Sequence, residues 1–255
     1  MANLKEIRNR ISSVSSTMQI TSAMKMVSAA KLKKAQDAIT AMRPYSDKLT
    51  ELLQNLSATL EGDSGSVYAE QREVKKVLIV AISSNRGLAG AFNSNIVKES
   101  KNMADNVYAG KEIDFITIGK KVNDILKKTH SITEKNTAIY DNLHFEEVEA
   151  IAENIMEMFA NGKYDRVDVV YNSFKNAATQ LVTKEQFLPL KQVEQNASEV
   201  RKETADYIFE PSKAEIVKEL IPKALKMQLF KALRDSVASE HGARMTAMHK
   251  ATDNA

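Results

Sequence analysis

The stretch Ser83-Ser84-Asn85-Arg86-Gly87-Leu88-Ala89-Gly90 holds the residue types most suggestive of chemistry. A glycine-bearing turn between a strand and a helix can seat a phosphate, because unpaired N–H groups at the helix N-terminus meet the anion. Its only glycines are Gly87 and Gly90, and no lysine follows them, so it matches neither GxGxxG nor GxxxxGK[ST]. The other reading is a conformationally constrained turn that presents Arg86 and Leu88 to a partner. His241 and His249 lie eight apart on a helical pattern, not at the i,i+4 spacing of a zinc-binding helix. Serine, histidine and aspartate occur without a G-x-S-x-G elbow to assemble them. Glu146, Glu147, Glu149 and Glu153 read as the wet face of one helix. With no cysteine, thiolate nucleophiles, disulfides and cysteine-ligated metals are excluded. Nothing here makes a case for catalysis, a cofactor or a metal.

The elements that would carry these residues form an α/β unit. Val77 to Ile82 (VLIVAI) is a continuous apolar run of strand length, as in a buried parallel strand. The spacing predicts a helix from Phe92 to Val107, a strand from Ile113 to Ile118 and a short helix from Gly119 to Lys128. It predicts an amphipathic helix from Phe145 to Ala160, with Val148, Ile151, Ile155, Met158 and Phe159 inward. A strand over Val167 to Tyr171 follows, with extended chain at Thr179 to Leu190 and Tyr207 to Phe209. Strands alternating with helices imply a mostly parallel sheet with right-handed crossovers.

Both ends of the chain read as long helices. Leu4, Ile7, Ile11, Val14 and Met18 are spaced 3, 4, 3, 4, the seam of a coiled coil, and Leu32, Ala35, Ile39 and Met42 repeat it. No Gly or Pro precedes Pro44, which should kink the helix rather than end it, since helix formers resume at Lys48. Gly62 and Gly65 end the run. Near the other end, Ser212 after Pro211 with Glu215 makes a capping box. Pro222 allows a break or kink. Val217, Ile221, Leu225, Leu229, Leu233 and Val237 form a stripe at spacing four. Beyond Val237, Ala, Met, His, Thr and Arg replace the large aliphatics, as on a helix leaving its domain to lie against a small-residue seam. The expected architecture is α/β: a long antiparallel coiled coil of the terminal helices with an inserted, mostly parallel α/β lobe. The divisions are 1–65, 66–210 and 211–255, with the Leu4 to Met18 seam as the partner of the final segment.

Charge narrows the partners. Lys+Arg number 36 and Asp+Glu 33, a net of +3, too weak a bias to argue for nucleic acid. Residues 1–34 are locally basic, with Lys5, Arg8, Arg10, Lys25, Lys31, Lys33 and Lys34 against Glu6 alone. That face is a solvated helix surface, a surface running inside an acidic partner, or a nucleic-acid contact. No aromatic residue precedes Tyr45, so base stacking has nothing to use. No apolar run approaches the ~18 residues needed to span a bilayer. The basic, Ser-rich start could suit a transit peptide, but heptad spacing already begins at Leu4.

Motifs in order along the whole chain resemble one family. They are Ile7-Arg8, Ile11, Ile20-Thr21, Ala23-Met24, Met26-Val27 and Lys31-Leu32; the loop Ser84 to Gly90; Tyr207, Phe209, Glu210 and Pro211; and Ser239-Glu240, Ala243-Arg244, Ala247-Met248, Ala251 and Asp253-Asn254-Ala255. The sequence is similar to the gamma subunit of rotary ATP synthases, the central-stalk shaft, of bacterial type. The resemblance implies a non-catalytic rotor without cofactor, direct small-molecule substrate or nucleic acid. Its helices would turn inside a ring of three alpha and three beta subunits, and its lobe would sit on the epsilon subunit and the membrane c-ring, at the cytoplasmic face of the bacterial inner membrane. Met24 and Lys25 would meet the acidic loops of catalytic subunits, with Lys31, Lys33 and Lys34 as basic neighbours. Arg86, Leu88 and Ala89 would meet a catalytic subunit, as would Glu240, Arg244 and Met248 of the shaft signature. Tyr207, Phe209 and Glu210 would form the foot on epsilon and the rotor ring. Family members continue for several helical turns past Asn254-Ala255, and Ala89 stands where relatives often carry cysteine. Competing classes are an α/β enzyme with a helical oligomerisation hairpin, revealed by bound nucleotide or turnover, and a coiled-coil scaffold, revealed by a stable homodimer.

Overall fold

The computed structural model describes residues 3–59, 67–140, 143–190 and 213–255. Its central strand, β1 (Lys76–Ile82), is apolar on both faces because it is covered on both. Side chains alternate across a strand. Leu78, Val80 and Ile82 therefore enter one core and Val77, Ile79 and Ala81 the other. The further elements of the lobe are α2 (Phe92–Asn102), β2 (Glu112–Ile118), α3 (Lys120–Leu126), β3 (Ser131–Asn136), α4 (Phe145–Ala160), β4 (Arg166–Phe174) and β5 (Gln180–Leu188). Strand order is β3-β2-β1-β4-β5. The first four strands are parallel and β5 runs antiparallel to β4. The mostly parallel sheet predicted from the sequence is present.

The differences from the expected elements have local causes. The helix expected to run to Val107 stops at Asn102, and Met103–Val107 winds as a π-helical turn. Strand β3 was not foreseen. Its sequence, SITEKN, has one aliphatic residue, and it alternates exposed and half-buried at the sheet edge. Tyr207 to Phe209 and the cap Ser212 lie outside the described residues.

Helix α1 (Leu4–Thr59) runs unbroken through the exposed Pro44, and α5 (Lys213–Asp253) through Pro222. At ~1.5 Å per residue α1 is about 84 Å long. The two pair antiparallel. Thr252 Oγ1 donates to Thr21 Oγ1 at 2.8 Å, while Leu32, Ala35 and Ile39 pack against Ala238. Buried Thr21, Ser28, Leu32, Ala35, Ile39, Ser46 and Leu49, with half-buried Met42, trace the α1 seam. Its spacing of three, four and seven is that of a coiled coil.

The first part of α5 belongs physically to the lobe. Ile221, Leu225, Leu229, Phe230 and Leu233 share a core with Leu78, Val80 and Ile82 of β1 and Val148, Ile155 and Phe159 of α4. Lys226 Nζ lies 2.6 Å from both Glu149 and Glu153. Two of the glutamates expected to be merely solvated thus tie α4 to α5. Burial works against the Lys226 charge, but the two carboxylates outweigh it and hold its pKa above the ordinary lysine value.

One expectation is overturned. Leu4, Ile7, Ile11, Val14 and Met18 do not pair with the final segment of α5; all five are exposed, Leu4 at 66%. The observed register differs from the expected one: Thr252 stands opposite Thr21, so the part of α5 that packs on α1 faces Thr21 to Leu49 rather than positions 4–18. Ala255 borders a shallow hollow with Ile7, Ile11, Val14 and Met18.

Candidate functional site

The Ser83–Gly90 loop leaves the carboxyl end of β1 and is held from several sides. Ser84 N donates to Asn93 Oδ1 at 3.0 Å, and Ser84 Oγ to the Arg86 carbonyl at 2.6 Å. Asn85 Nδ2 donates to the Thr137 carbonyl at 2.7 Å, and Lys120 N to Asn85 Oδ1 at 2.9 Å. Gly119 has φ +103°, and a Cβ there would overlap the Ser83 carbonyl, so only glycine permits this approach of the two loops. Within this frame Leu88 takes φ +60° and is 66% exposed. A left-handed leucine costs roughly 1 kcal/mol or more. The surrounding bonds hold an apolar side chain out in solvent. Arg86 beside it is also exposed.

The constrained turn presenting Arg86 and Leu88 is thus the geometry the sequence suggested. Ala89 differs, because it is buried against Phe92 and Ala243. A doubly wound sheet usually takes its ligand at the carboxyl ends of its strands where the order reverses. Here β1 lies between β2 and β4, and α5 covers that position through Ala243 and Arg244. A phosphate at the head of α2 would compete with the chain's own helix.

The shaft-signature residues are also internal. Glu240, Arg244 and Met248, expected to meet a catalytic subunit, are 7%, 8% and 4% exposed. Arg244 Nη1 lies 2.7 Å from Glu240 Oε1, and Nη2 donates to the Gly87 carbonyl at 3.4 Å. Polar side chains four apart read as surface, yet α1 and the loop enclose them. Burial raises the Glu240 pKa, while Arg244, Lys31 and Arg86 oppose that rise. The adjoining His241 is pushed down to about 4, by burial first and then by Arg244 and Lys31. Its Nδ1 has no hydrogen-bond partner among the described residues.

On α1, Met24 and Lys25 are half-buried, and Lys31, Lys33 and Lys34 are exposed. Lys33 pairs with Asp37 at 2.9 Å. Ile20, Met26 and Val27 add exposed apolar surface that the site expectation lacked, at 61%, 65% and 56%. The signal was present in the motifs Ile20-Thr21 and Met26-Val27, but no pattern separated a bare position from a covered one. The structure therefore brings Lys31, Arg86, Glu240 and Arg244 to one neighbourhood and leaves Met24 and Lys25 farther along the coil. Tyr207, Phe209 and Glu210 lie outside the described residues. Among the described residues no cluster suits a metal ion, and no helix is long and apolar enough to cross a membrane.

A family profile described as ATP synthase matches residues 3–255. The ATP synthase gamma chain of Flavobacterium johnsoniae is 70% identical over 255 residues, covering 100% of this chain and 88% of that one. The gamma chain of Cytophaga hutchinsonii is 54% identical over 260 residues with the same coverage. Among solved structures, the central stalk and c-ring of Tetrahymena thermophila mitochondrial ATP synthase contains a chain 26% identical, with a TM-score of 0.66, covering 91% of this chain and 99% of that one. The rotor of Euglena gracilis mitochondrial ATP synthase matches in fold, with a TM-score of 0.67 at 22% identity over 97% of this chain and 90% of that one. A strained loop, a buried ion pair beneath it and a two-helix coil leaving the lobe are thus parts of one mechanical element, and the chain belongs to the ATP synthase gamma-chain family, the rotor shaft of the central stalk.

Proposed function

We propose that this chain is the non-catalytic shaft that couples an ion-driven membrane ring to ATP synthesis or hydrolysis in three alpha and three beta subunits. Residues 1–65 and 211–255 act as the shaft and 66–210 as the lobe, with the start of α5 embedded in the lobe. The observation that carries this reading is the outward-held pair Arg86 and Leu88 beside a long coil with one basic, partly apolar face. Met24, Lys25, Lys31, Lys33, Lys34, Arg86 and Leu88 meet catalytic subunits. Ala89, Glu240, Arg244 and Met248 serve that contact from beneath by holding the loop and the coil. Tyr207, Phe209 and Glu210 meet the epsilon subunit and the c-ring at the cytoplasmic face of a bacterial inner membrane. Screened charge attraction over ~8 Å guides such a rotor without locking it. Coupling still requires each orientation to interact differently with the three catalytic sites.

A tagged pull-down from the source cells tests this. The expected eluate holds alpha and beta subunits and an ATPase activity that the chain alone lacks. A chain that elutes alone from cells containing an assembled ATP synthase would sink the proposal.

A further inference from the structure

The tip of the β4–β5 hairpin touches both long helices at the place where they leave the lobe. We propose that this tip, residues 174–179, is a torsional brace that carries turning force between lobe and coiled coil, an inference that rests on the rotor-shaft reading above.

The tip is stiff in itself. Asn176 Oδ1 accepts from Ala178 N at 3.0 Å and Thr179 N at 2.8 Å, and Gln180 Nε2 donates to the Ala177 carbonyl at 3.0 Å. Bonds from an asparagine side chain to the backbone just ahead fix a turn locally. The same Ala177 carbonyl accepts from Thr246 Oγ1 of α5 at 3.1 Å. One turn away, Gly242 offers no side chain, and a Cβ there would come within 3.1 and 3.2 Å of the Ala177 oxygen and Cα. A mid-helix glycine costs about 1 kcal/mol relative to alanine. At this position it admits the hairpin backbone onto the helix.

The tip also reaches the other helix. Phe174 and Ala177 pack against a cluster made of Leu32, Ala35 and Ile39 from α1 and Ala238 from α5. Farther down, Ser173 Oγ donates to Asp235 Oδ2 at 3.2 Å, and Gln228 Nε2 to the Gln186 carbonyl at 3.3 Å. The hairpin therefore follows α5 from position 228 to 246, roughly 27 Å of helix at ~1.5 Å per residue. A coil joined to its lobe only by chain continuity would wind up at the junction under load. Contacts set off the coil axis resist that winding, and close-packed groups transmit strain with little give. The hairpin supplies such contacts to both helices at once.

The test uses the assembled membrane enzyme with the alpha–beta ring fixed to a surface and a rod attached to the lobe. The readout is the angular variance of the rod while the enzyme is stalled. Gly242→Val pries the tip from α5 and is expected to raise the variance about twofold or more, since a loosened packed contact no longer transmits strain. Thr246→Val combined with Gln180→Leu removes both donors to the Ala177 carbonyl without adding bulk, and should shift the variance the same way. Variance equal to wild type in either assembled variant overturns the brace. A tip that merely stabilises the fold would lower the melting temperature and leave the variance unchanged. A wild-type chain that assembles yet never rotates against the ring would instead defeat the shaft reading itself.

Discussion

The two halves of the α1 seam carry the same spacing and opposite surroundings. From Thr21 to Leu49 the seam is buried against α5 and the hairpin; from Leu4 to Met18 it is exposed throughout. The buried half is the less hydrophobic, using Thr21, Ser28, Ala35 and Ser46 beside Leu32, Ile39 and Leu49. The bare half is aliphatic almost throughout. Hydrophobic periodicity therefore reports that a helix has a face to cover, while the small residues report where another backbone comes close. Thr21 and Ser28 also turn their hydroxyls onto the Met18 and Met24 carbonyls of their own helix, which lets them sit in a tight seam without orphaned donors.

The contrast is sharpest at the buried ion pair. Glu240→Ala should destabilise the isolated chain by about 4 kcal/mol, since it leaves the Arg244 guanidinium enclosed without its carboxylate. Arg244→Met should cost less, because burial already raises the Glu240 pKa and, without the guanidinium that opposes that rise, the carboxyl can take a proton. A denaturant titration of both variants checks the order, and equal losses would mean that the charges are not what matters. Leu32→Ala should follow at about 3 kcal/mol, whereas Ile11→Ala should change stability by under ~0.5 kcal/mol. Comparable losses at the two positions would show that the bare half is covered in the free chain, and the contrast between the halves would collapse.

Acid should act through the same buried neighbourhood. His241 is held near 4, against 6.5 for an ordinary histidine. Its folded pKa is depressed, so the unfolded chain binds the proton first, and stability falls as pH drops from about 6.5 toward 4. Glu240, with its raised pKa, works in reverse: the folded state takes up its proton first, which adds stability as pH falls toward the ordinary glutamate value. His241→Gln should therefore flatten the loss between pH 6.5 and 4.5, followed by thermal melting across that window. An unchanged slope would mean that His241 is solvated in the folded chain. The smallest effect belongs to the exposed face. Lys33→Ala removes a pair with Asp37 that is open to solvent, and should cost no more than a few tenths of a kcal/mol.

Much of the fold is legible in the sequence. β1 appeared as an apolar run, β2 as a strand over Ile113 to Ile118, and α4 spans Phe145–Ala160 as its periodicity requires. β3 escaped because an edge strand buries only alternate residues and Ile132 is its single aliphatic. The site was less legible. Arg86 and Leu88 stand out from the surface as expected, but Glu240 and Arg244 look like surface residues by type, and only the fold shows them enclosed. Composition reports the cost of burying a charge, not the presence of a partner that offsets it. Gly242 gave no sign of its role, since the approach of Ala177 comes from 65 positions away in sequence.

The hairpin contact also settles a problem that repeating sequences create for themselves. A heptad seam is nearly indifferent to sliding, and a slip of seven residues would change the reach of the coil by about 10 Å at ~1.5 Å per residue. Gly242 is a single notch that accepts the backbone of Ala177, and no residue seven positions away repeats it: Asp235 and His249 occupy those places. The hairpin works as a key in a slot and fixes axial position as well as angle. A shaft so indexed keeps one working length however hard it is turned.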